Sequence, residues 1–521
     1  MRTERAVVIG AGIGGLSAAA SLAAKGLDVT VVERHAAPGG KMREVVAGGA
    51  ALDAGPTVFT MRWVFEELFA EAGADFGRAV TLLPVERLAR HGWTDGAAFD
   101  LYADPERADA AVGAFAGAAE AKRFAAFRAR VREIYETLEQ PYIASQKPTT
   151  ASLIGRVGLG RIGALWRTTP FQTMAKALAT SLENEKLRQL FGRYATYCGS
   201  SPYSAPATLM LVAHVELAGV WLVEGGMHRL ARAVETLGRD KGATYRYGAH
   251  VDEIVVENGR AAGVRLADGE TLPADIVVCN GDVGALAAGL LGATAKKAVP
   301  AYPRAERSIS AMVWSAKAET RGFPLIRHSV FFNAGEYASE FDAIFRQRRT
   351  PDAPTVYICA QDRGDDPAEG LGPERLHIHV NAPADGDLDR PDEKEIAKCR
   401  SASFDLLSRC GLEVDLTPEA TVLTTPREFE ALFPGTGGAL FGRVTHGPFG
   451  AFGRPAARTA IPGLYVAGGS AHPGAGVPMA AMSGRLAAAQ ALSDFASTRA
   501  ASRAAISGGT ATRSRTTAST P

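Results

Sequence analysis

The sequence predicts an α/β protein, and three segments predict it. The first is "AVVIGAGIGGLSAAASLAAKGLDVTVVERHAAPGGKM", Ala6 to Met42. A β-branched strand runs into a glycine turn, an Ala- and Ser-rich helix, and a second apolar strand that ends in an acid. The second is Trp221 to Asp282, which reads as a helix, a strand, a hairpin turning at "ENGR" and a further strand "DIVVCN". The third is "PGLYVAGGSAHPGAGVPMAAMSGRLAA", Pro462 to Ala488, again a strand, a glycine-rich loop and a helix. Alternation of strand and helix is the pattern of the α/β class.

The opening segment has two rival readings. Ala6 to Ala24 carries no charge and follows a basic "MRTER", so it superficially resembles a secretion signal or a membrane span of ~20 apolar residues. Gly10, Gly12, Gly14 and Gly15 crowd its first half, where a spanning helix would hold Leu and Ile, and "DVTVVE" continues a fold directly after it. The segment instead supplies G-x-G-x-x-G at Gly10, Gly12 and Gly15. Gly10 permits the sharp turn, Gly12 lets a pyrophosphate approach the backbone, and Gly15 lets the helix pack on the strand. The N–H groups and dipole of the helix N-terminus favour the phosphate. Glu33 follows about 20 residues on, where an acid binds a ribose hydroxyl. This is a Rossmann-like dinucleotide site; the competing reading is a glycine-rich buried turn. The uncharged span Thr459 to Gly484 contains Pro462, Pro473 and Pro478, which a membrane helix would not.

At 521 residues the chain has room for two to four domains of ~150 residues each. A hydrophobic content of 46%, a charged content of 22% and a net charge of +1 give no argument for a nucleic-acid partner. Five scattered cysteines without a C-x-x-C pair suit free thiols in a reducing compartment.

The residues after Glu33 narrow the dinucleotide. Gly39, Gly40 and Lys41 offer a second close approach to a phosphate, and "ALDAGPTVFT", Ala51 to Thr60, follows. Here the sequence resembles the FAD-containing amine-oxidase and carotenoid-desaturase superfamily. The resemblance implies FAD, with Glu33 on the adenosine ribose, Gly40 and Lys41 lining the pyrophosphate, Gly55 and Thr57 approaching the flavin, and the strand at Val251 passing the adenine. The closing motif, with Gly469, Gly476, Val477 and Met479, would meet the flavin, where a helix N-terminus can stabilise the reduced, anionic ring. Many flavoproteins have an Asp in that motif; this sequence has Gly469 and Ser470, as carotenoid desaturases commonly do. The expected architecture is a discontinuous Rossmann-like FAD-binding domain (1–85, 221–290 and 456–493), an α+β substrate-binding, membrane-facing domain (86–220 and 291–455), and a disordered tail (494–521).

"VNAP" (Val380 to Pro383) and "TPREFEALFPGTGGALFG" (Thr425 to Gly442) resemble the bacterial phytoene-desaturase type. "TMRWVFEELFAEAG", Thr60 to Gly73, is most similar to desaturases of 1-hydroxylated acyclic carotenoids, which insert a 3,4 double bond in the spheroidene and spirilloxanthin routes of photosynthetic bacteria. The implied chemistry is hydride transfer to flavin followed by loss of a proton, with the protein aligning the substrate and excluding water. Two residues are candidates for the proton. His472 in the flavin loop could take it or could buttress the turn. Asp53 could take it or could bind backbone N–H groups. His377 and His379 share one face of a strand, a spacing open to a metal, but no acid or cysteine pattern accompanies them and no metal is expected.

Acyclic carotenoids dissolve in membranes. Gln140 to Leu182 contains no acid, while Lys147, Arg156, Arg161, Arg167 and Lys176 are basic and Trp166 and Phe171 are aromatic. That composition suits a surface dipping into anionic lipid; the alternative is a solvated helix or loop. The expected location is therefore cytoplasmic, peripherally attached to the inner or photosynthetic membrane. Three other functions remain open: a multi-step phytoene or neurosporene desaturase, a carotenoid isomerase of the same fold, and a flavin-containing carotenoid carrier without turnover.

Overall fold

The computed structural model describes residues 4–158, 162–335, 337–364, 372–388 and 390–507. One sheet is five-stranded and parallel. Its order is Leu464–Val466, Ile276–Cys279, Arg5–Ile9, Asp28–Glu33, Thr244–Tyr247, so three distant stretches of chain build it. The central strand is buried on both faces, which is why "AVVI" is continuously apolar. Ala6 and Val8 face a helical layer; Val7 and Ile9 face the other side.

The helical layer contains the opening helix (Ile13–Ala23), the helix Met227–Asp240 and the closing helix (Val477–Ser507). The opening and closing helices touch so closely that a Cβ on Gly484 would lie 2.0 Å from the Gly14 carbonyl oxygen. The other layer is a three-stranded antiparallel sheet. Its first two strands, Val251–Glu257 and Arg260–Leu266, turn at Asn258 and Gly259, both with positive φ (49° and 76°). Asn-Gly favours this two-residue hairpin because its backbone twist matches that of the strands.

The closing helix runs past residue 494, which was expected to begin a disordered tail. Asp494 joins it to the sheet through Arg458 (Nε donates to Oδ2, 2.9 Å) and the Tyr465 hydroxyl (3.1 Å), and the Ala-rich sequence to Ser507 has high helix propensity. Residues 508–521 lie outside the described residues.

A second, larger sheet has eight strands: Leu412–Asp415, Ser310–Gly322, Glu374–Ala382, Val356–Ala360, His328–Phe332, Arg87–Trp93 and Ala98–Tyr102 in order, with Thr421–Thr424 also paired to Ser310–Gly322. One face packs on the helix Glu393–Arg409 through Leu406 and Leu407. At its far end, Val330 and Phe332 pack under helices that include Pro105–Ala116 and Ala118–Leu138.

Candidate active site

A cavity of about 920 Å³ opens where the two sheets and the helical roof meet, at the upper end of the ~300–1,000 Å³ typical of ligand pockets. One part is walled by glycine and backbone. Here Gly39 N–H donates to the Ala11 carbonyl (2.8 Å) and bridges to Gly12. A Cβ on Gly40 would lie 3.1 Å from the Gly12 Cα, so the two loops cross backbone to backbone. Asn280 fills the inside of the turn, its Nδ2 2.8 Å from where a Gly12 Cβ would stand. Glu33 is buried and its carboxylate accepts from Ala11 N–H (2.7 Å) and His35 N–H (2.8 Å). A carboxylate has about four acceptor positions, so this pairing orients Glu33 and leaves capacity for a ribose hydroxyl.

Lys41 donates to the Leu440 carbonyl (2.7 Å) and stands 4.0 Å from Asp282. Enclosure by the cavity walls lowers its pKa; Asp282 raises it and Arg454 lowers it further. Arg454 itself is buried and bonds the carbonyls of Phe441 (2.7 Å) and Gly469 (2.8 Å), tying two loops of the wall together. Ser470, where many flavoproteins have an acid, accepts from Val283 N–H (3.0 Å).

The rest of the cavity is largely apolar, walled by Leu138, Leu153, Leu209 and Val212 among others. Its mouth carries exposed aromatics: Trp166 (65% exposed), Phe171 (64%) and Phe449 (57%) all line it. Phe171 contacts both of the others, at ring centroid distances of 6.0 and 6.1 Å.

Residues 13–492 match the family described as Flavin containing amine oxidoreductase. A hydroxyneurosporene desaturase of Rubrivivax gelatinosus is 53% identical over 521 residues, covering 99% of this chain and 98% of that one. The chain belongs to this family, in its carotenoid desaturase branch. A 1-hydroxycarotenoid 3,4-desaturase of Flavobacterium sp. (strain P99-3) is 31% identical, covering 93% and 98%. A putrescine oxidase, solved as wild type bound to putrescine, shares the fold at 14% identity with a TM-score of 0.58, covering 94% of this chain and 99% of that one.

The carotenoid desaturase is an FAD enzyme, and the cavity suits that cofactor. Gly10, Gly12, Glu33, Gly40, Lys41, Gly55, Thr57 and Val251 all line the cavity. Gly469, Gly476, Val477 and Met479 line the wall where the closing helix begins, and the first N–H groups of a helix lack partners within it. These residues would hold the cofactor. Gly15 is an exception to the expected set, because it does not line the cavity. A Cβ there would fall 2.1 Å from the Gly10 carbonyl oxygen, so its part is to let the turn close onto the helix.

Neither of the two candidates for proton transfer is among the residues that line the cavity. His472 is buried, its Nε2 2.9 Å from the Ser145 carbonyl and its ring edge-on to Tyr142. Burial lowers its pKa to about 4, against the raising effect of the Ser145 and Tyr142 carbonyls. It buttresses the turn. Asp53 accepts from Met227 N–H (2.8 Å) and His228 N–H (3.2 Å), capping the helix that begins there. Its carboxylate therefore has a structural role at that helix start.

The basic stretch also differs from expectation. Arg156 donates to the Pro141 and Gln146 carbonyls (3.2 and 2.7 Å) and to Ser145 Oγ (2.7 Å), and Arg167 pairs with Glu133 (2.8 Å). Both guanidinium groups thus have partners within the protein, while the Arg167 side chain stays 62% exposed. Arg161 lies outside the described residues.

Asn280 and Arg454 escaped the sequence reading. Asn280 ends the recognised strand "DIVVCN" and could have been found as the strand end facing the glycine turn. Arg454 follows no motif. A polar group across the large sheet, including Arg193, Tyr357 and Asn381, gave no signal either, since it assembles from distant strands and helices.

Proposed function

We propose that the protein desaturates 1-hydroxylated acyclic carotenoids at C3–C4, as in spheroidene- or spirilloxanthin-type biosynthesis. The observation that carries this is a single cavity lined both by the glycine cradle and by an extensive apolar surface, in a chain 53% identical to a hydroxyneurosporene desaturase. When bound, FAD supplies the acceptor for the hydride. In this reading the segments 1–85, 221–290 and 456–493 hold the cofactor and the segments 86–220 and 291–455 hold the polyene. The apolar walls would exclude water and confine a rod-like substrate beside the cofactor-holding part of the cavity.

The test is turnover by purified protein with FAD and 1-hydroxyneurosporene, rhodopin or phytoene in liposomes. The hydroxylated substrates should lose two hydrogens at C3 and C4 and outcompete the hydrocarbons. Equal or better use of phytoene replaces this reading with multi-step desaturation. Unchanged product mass points instead to an isomerase or a carrier.

The same substrate must enter from lipid, and we propose that the protein docks peripherally on the inner or photosynthetic membrane. No helix among the described residues is long and apolar enough to cross a membrane. The aromatic rim supports docking more directly than the basic stretch, because its exposed rings also line the cavity. Each large aromatic moved from water contributes roughly 1.5–3 kcal/mol on full burial. Replacing Trp166, Phe171 and Phe449 together by Glu should therefore lower liposome affinity at least tenfold while FAD content stays normal. Sedimentation with liposomes that is indifferent to this triple change means that another surface makes the contact.

A further inference from the structure

The cavity-facing side of the eight-stranded sheet is unexpectedly polar for the wall of a hydrocarbon channel. Antiparallel register sets Tyr357 opposite His379 and Cys359 opposite His377. Side chains alternate along a strand, so Thr355, Tyr357, His377, His379 and Asn381 share the face that lines the cavity. The intervening Val356, Ile358, Ile378 and Val380 fill the apolar core behind it.

Most of these polar groups already have partners. The Tyr357 hydroxyl bonds Thr57 Oγ1 (2.6 Å) and His328 Nδ1 (2.8 Å). Thr355 Oγ1 and Asn381 Nδ2 donate to Glu340 (2.6 and 3.2 Å), and Asn381 Oδ1 faces His379 Nε2 (3.4 Å). His377 differs: it is 4% exposed, and its Nδ1 is buried with no hydrogen-bond partner. Burial holds its pKa down at about 3, with His379 and Arg43 lowering it further. The ring is therefore neutral at physiological pH, with one donor and one acceptor nitrogen. The ring lines the cavity, and because Nδ1 is enclosed, Nε2 is the nitrogen left to meet a small polar group there.

Location narrows what that group is. The recess touches Thr57 through Tyr357, so it lies where the sheet meets the cofactor-holding part, remote in the chain from the aromatic mouth at Trp166 and Phe171. In a substrate desaturated at C3–C4, the C1 hydroxyl oxygen is only three bonds from C3. It must therefore be buried near the reacting bond and needs a partner there.

We propose that His377 recognises the terminal hydroxyl of the substrate and sets the preference for hydroxylated over hydrocarbon carotenoids. This rests on the 1-hydroxy reading above. The test is internal competition: 1-hydroxyneurosporene and neurosporene in the same liposomes, with the ratio of their products read for wild type and for His377→Leu. The ratio does not depend on how much of a variant is folded. Wild type should favour the hydroxylated substrate. His377→Leu should reduce that preference roughly ten- to a hundredfold, the range for loss of one buried hydrogen bond. His377→Asn, which keeps a donor and an acceptor, should restore part of it. For a variant without turnover, the ratio of the two carotenoids retained by the purified protein supplies the same comparison.

A wild-type preference that persists in His377→Leu overturns the proposal and leaves the 1-hydroxy reading intact. Absence of any preference in wild type overturns both.

Discussion

Gly12→Val should purify as a folded but colourless protein. Gly12 has an ordinary extended backbone (φ −70°, ψ 165°), which any residue adopts. A Cβ there would meet one atom closely, Asn280 Nδ2 at 2.8 Å, and that is the tip of a side chain that can turn aside. The polypeptide therefore tolerates the change. The cofactor does not, because the isopropyl group occupies the space in which the phosphate must approach the backbone. Flavin absorbance and turnover should both be lost almost completely, with far-ultraviolet circular dichroism unchanged. Gly15→Val makes the contrast. Its Cβ would stand 2.1 Å from the Gly10 carbonyl oxygen, so the backbone itself must shift, and overpacking of that kind costs about 1–3 kcal/mol. Gly15→Val should lose stability first and flavin as a consequence. A Gly12→Val protein that keeps its full yellow absorbance would falsify the cradle.

The nucleotide cradle was legible because its parts are local. Gly10, Gly12 and Glu33 lie within one strand–turn–helix–strand unit, and each residue type follows from a backbone requirement that spacing reveals. The fold class followed from the same unit and its distant counterpart at Leu464–Val466. The substrate side was opaque for the opposite reason. Tyr357, His377 and Asn381 meet Thr57 and Arg193 only after strands far apart in the chain pair in one register, and "LHIHV" alone cannot say which face of a sheet it presents or to what. In the basic stretch composition gives charge but not partners: only the fold places Glu133, on another helix, beside Arg167. The surroundings of His472 and Asp53 were equally out of reach. Their proximity to flavin motifs in sequence is real, but both side chains turn toward backbone groups.

Asp53→Ala should be among the most destabilising single substitutions in the protein. The carboxylate accepts from two N–H groups at the start of the helix Met227–Asp240, and Gly226 makes room for it: a Cβ there would fall 2.6 Å from Asp53 Oδ2. Gln361 in turn bonds both the N–H (3.1 Å) and the carbonyl (2.9 Å) of Asp53, so this residue joins the hairpin Glu44–Asp53, the helix layer and the eight-stranded sheet. Alanine leaves two buried donors unpaired, at about 1–3 kcal/mol each, and removes a negative group from a helix N-terminus. The expected loss is about 2–4 kcal/mol, measured by denaturant unfolding. Asp53→Asn should be far milder, since the amide oxygen can still accept one N–H, and it should keep its flavin and most of its turnover. A proton acceptor would behave in the reverse way, with Asn abolishing turnover and sparing stability. The pH dependence separates the roles further. Burial raises the Asp53 pKa despite the Met227 and His228 bonds that lower it, so the folded state holds the proton more tightly than the unfolded chain. The resulting contribution is fully present below the unfolded pKa of ~3.9 and is lost as pH rises through the folded value. Asp53→Asn lacks this titration. The stability advantage of wild type over Asp53→Asn should therefore be largest in acid and should shrink as pH rises, whereas a carboxylate held as a strong ion pair would give an advantage that grows.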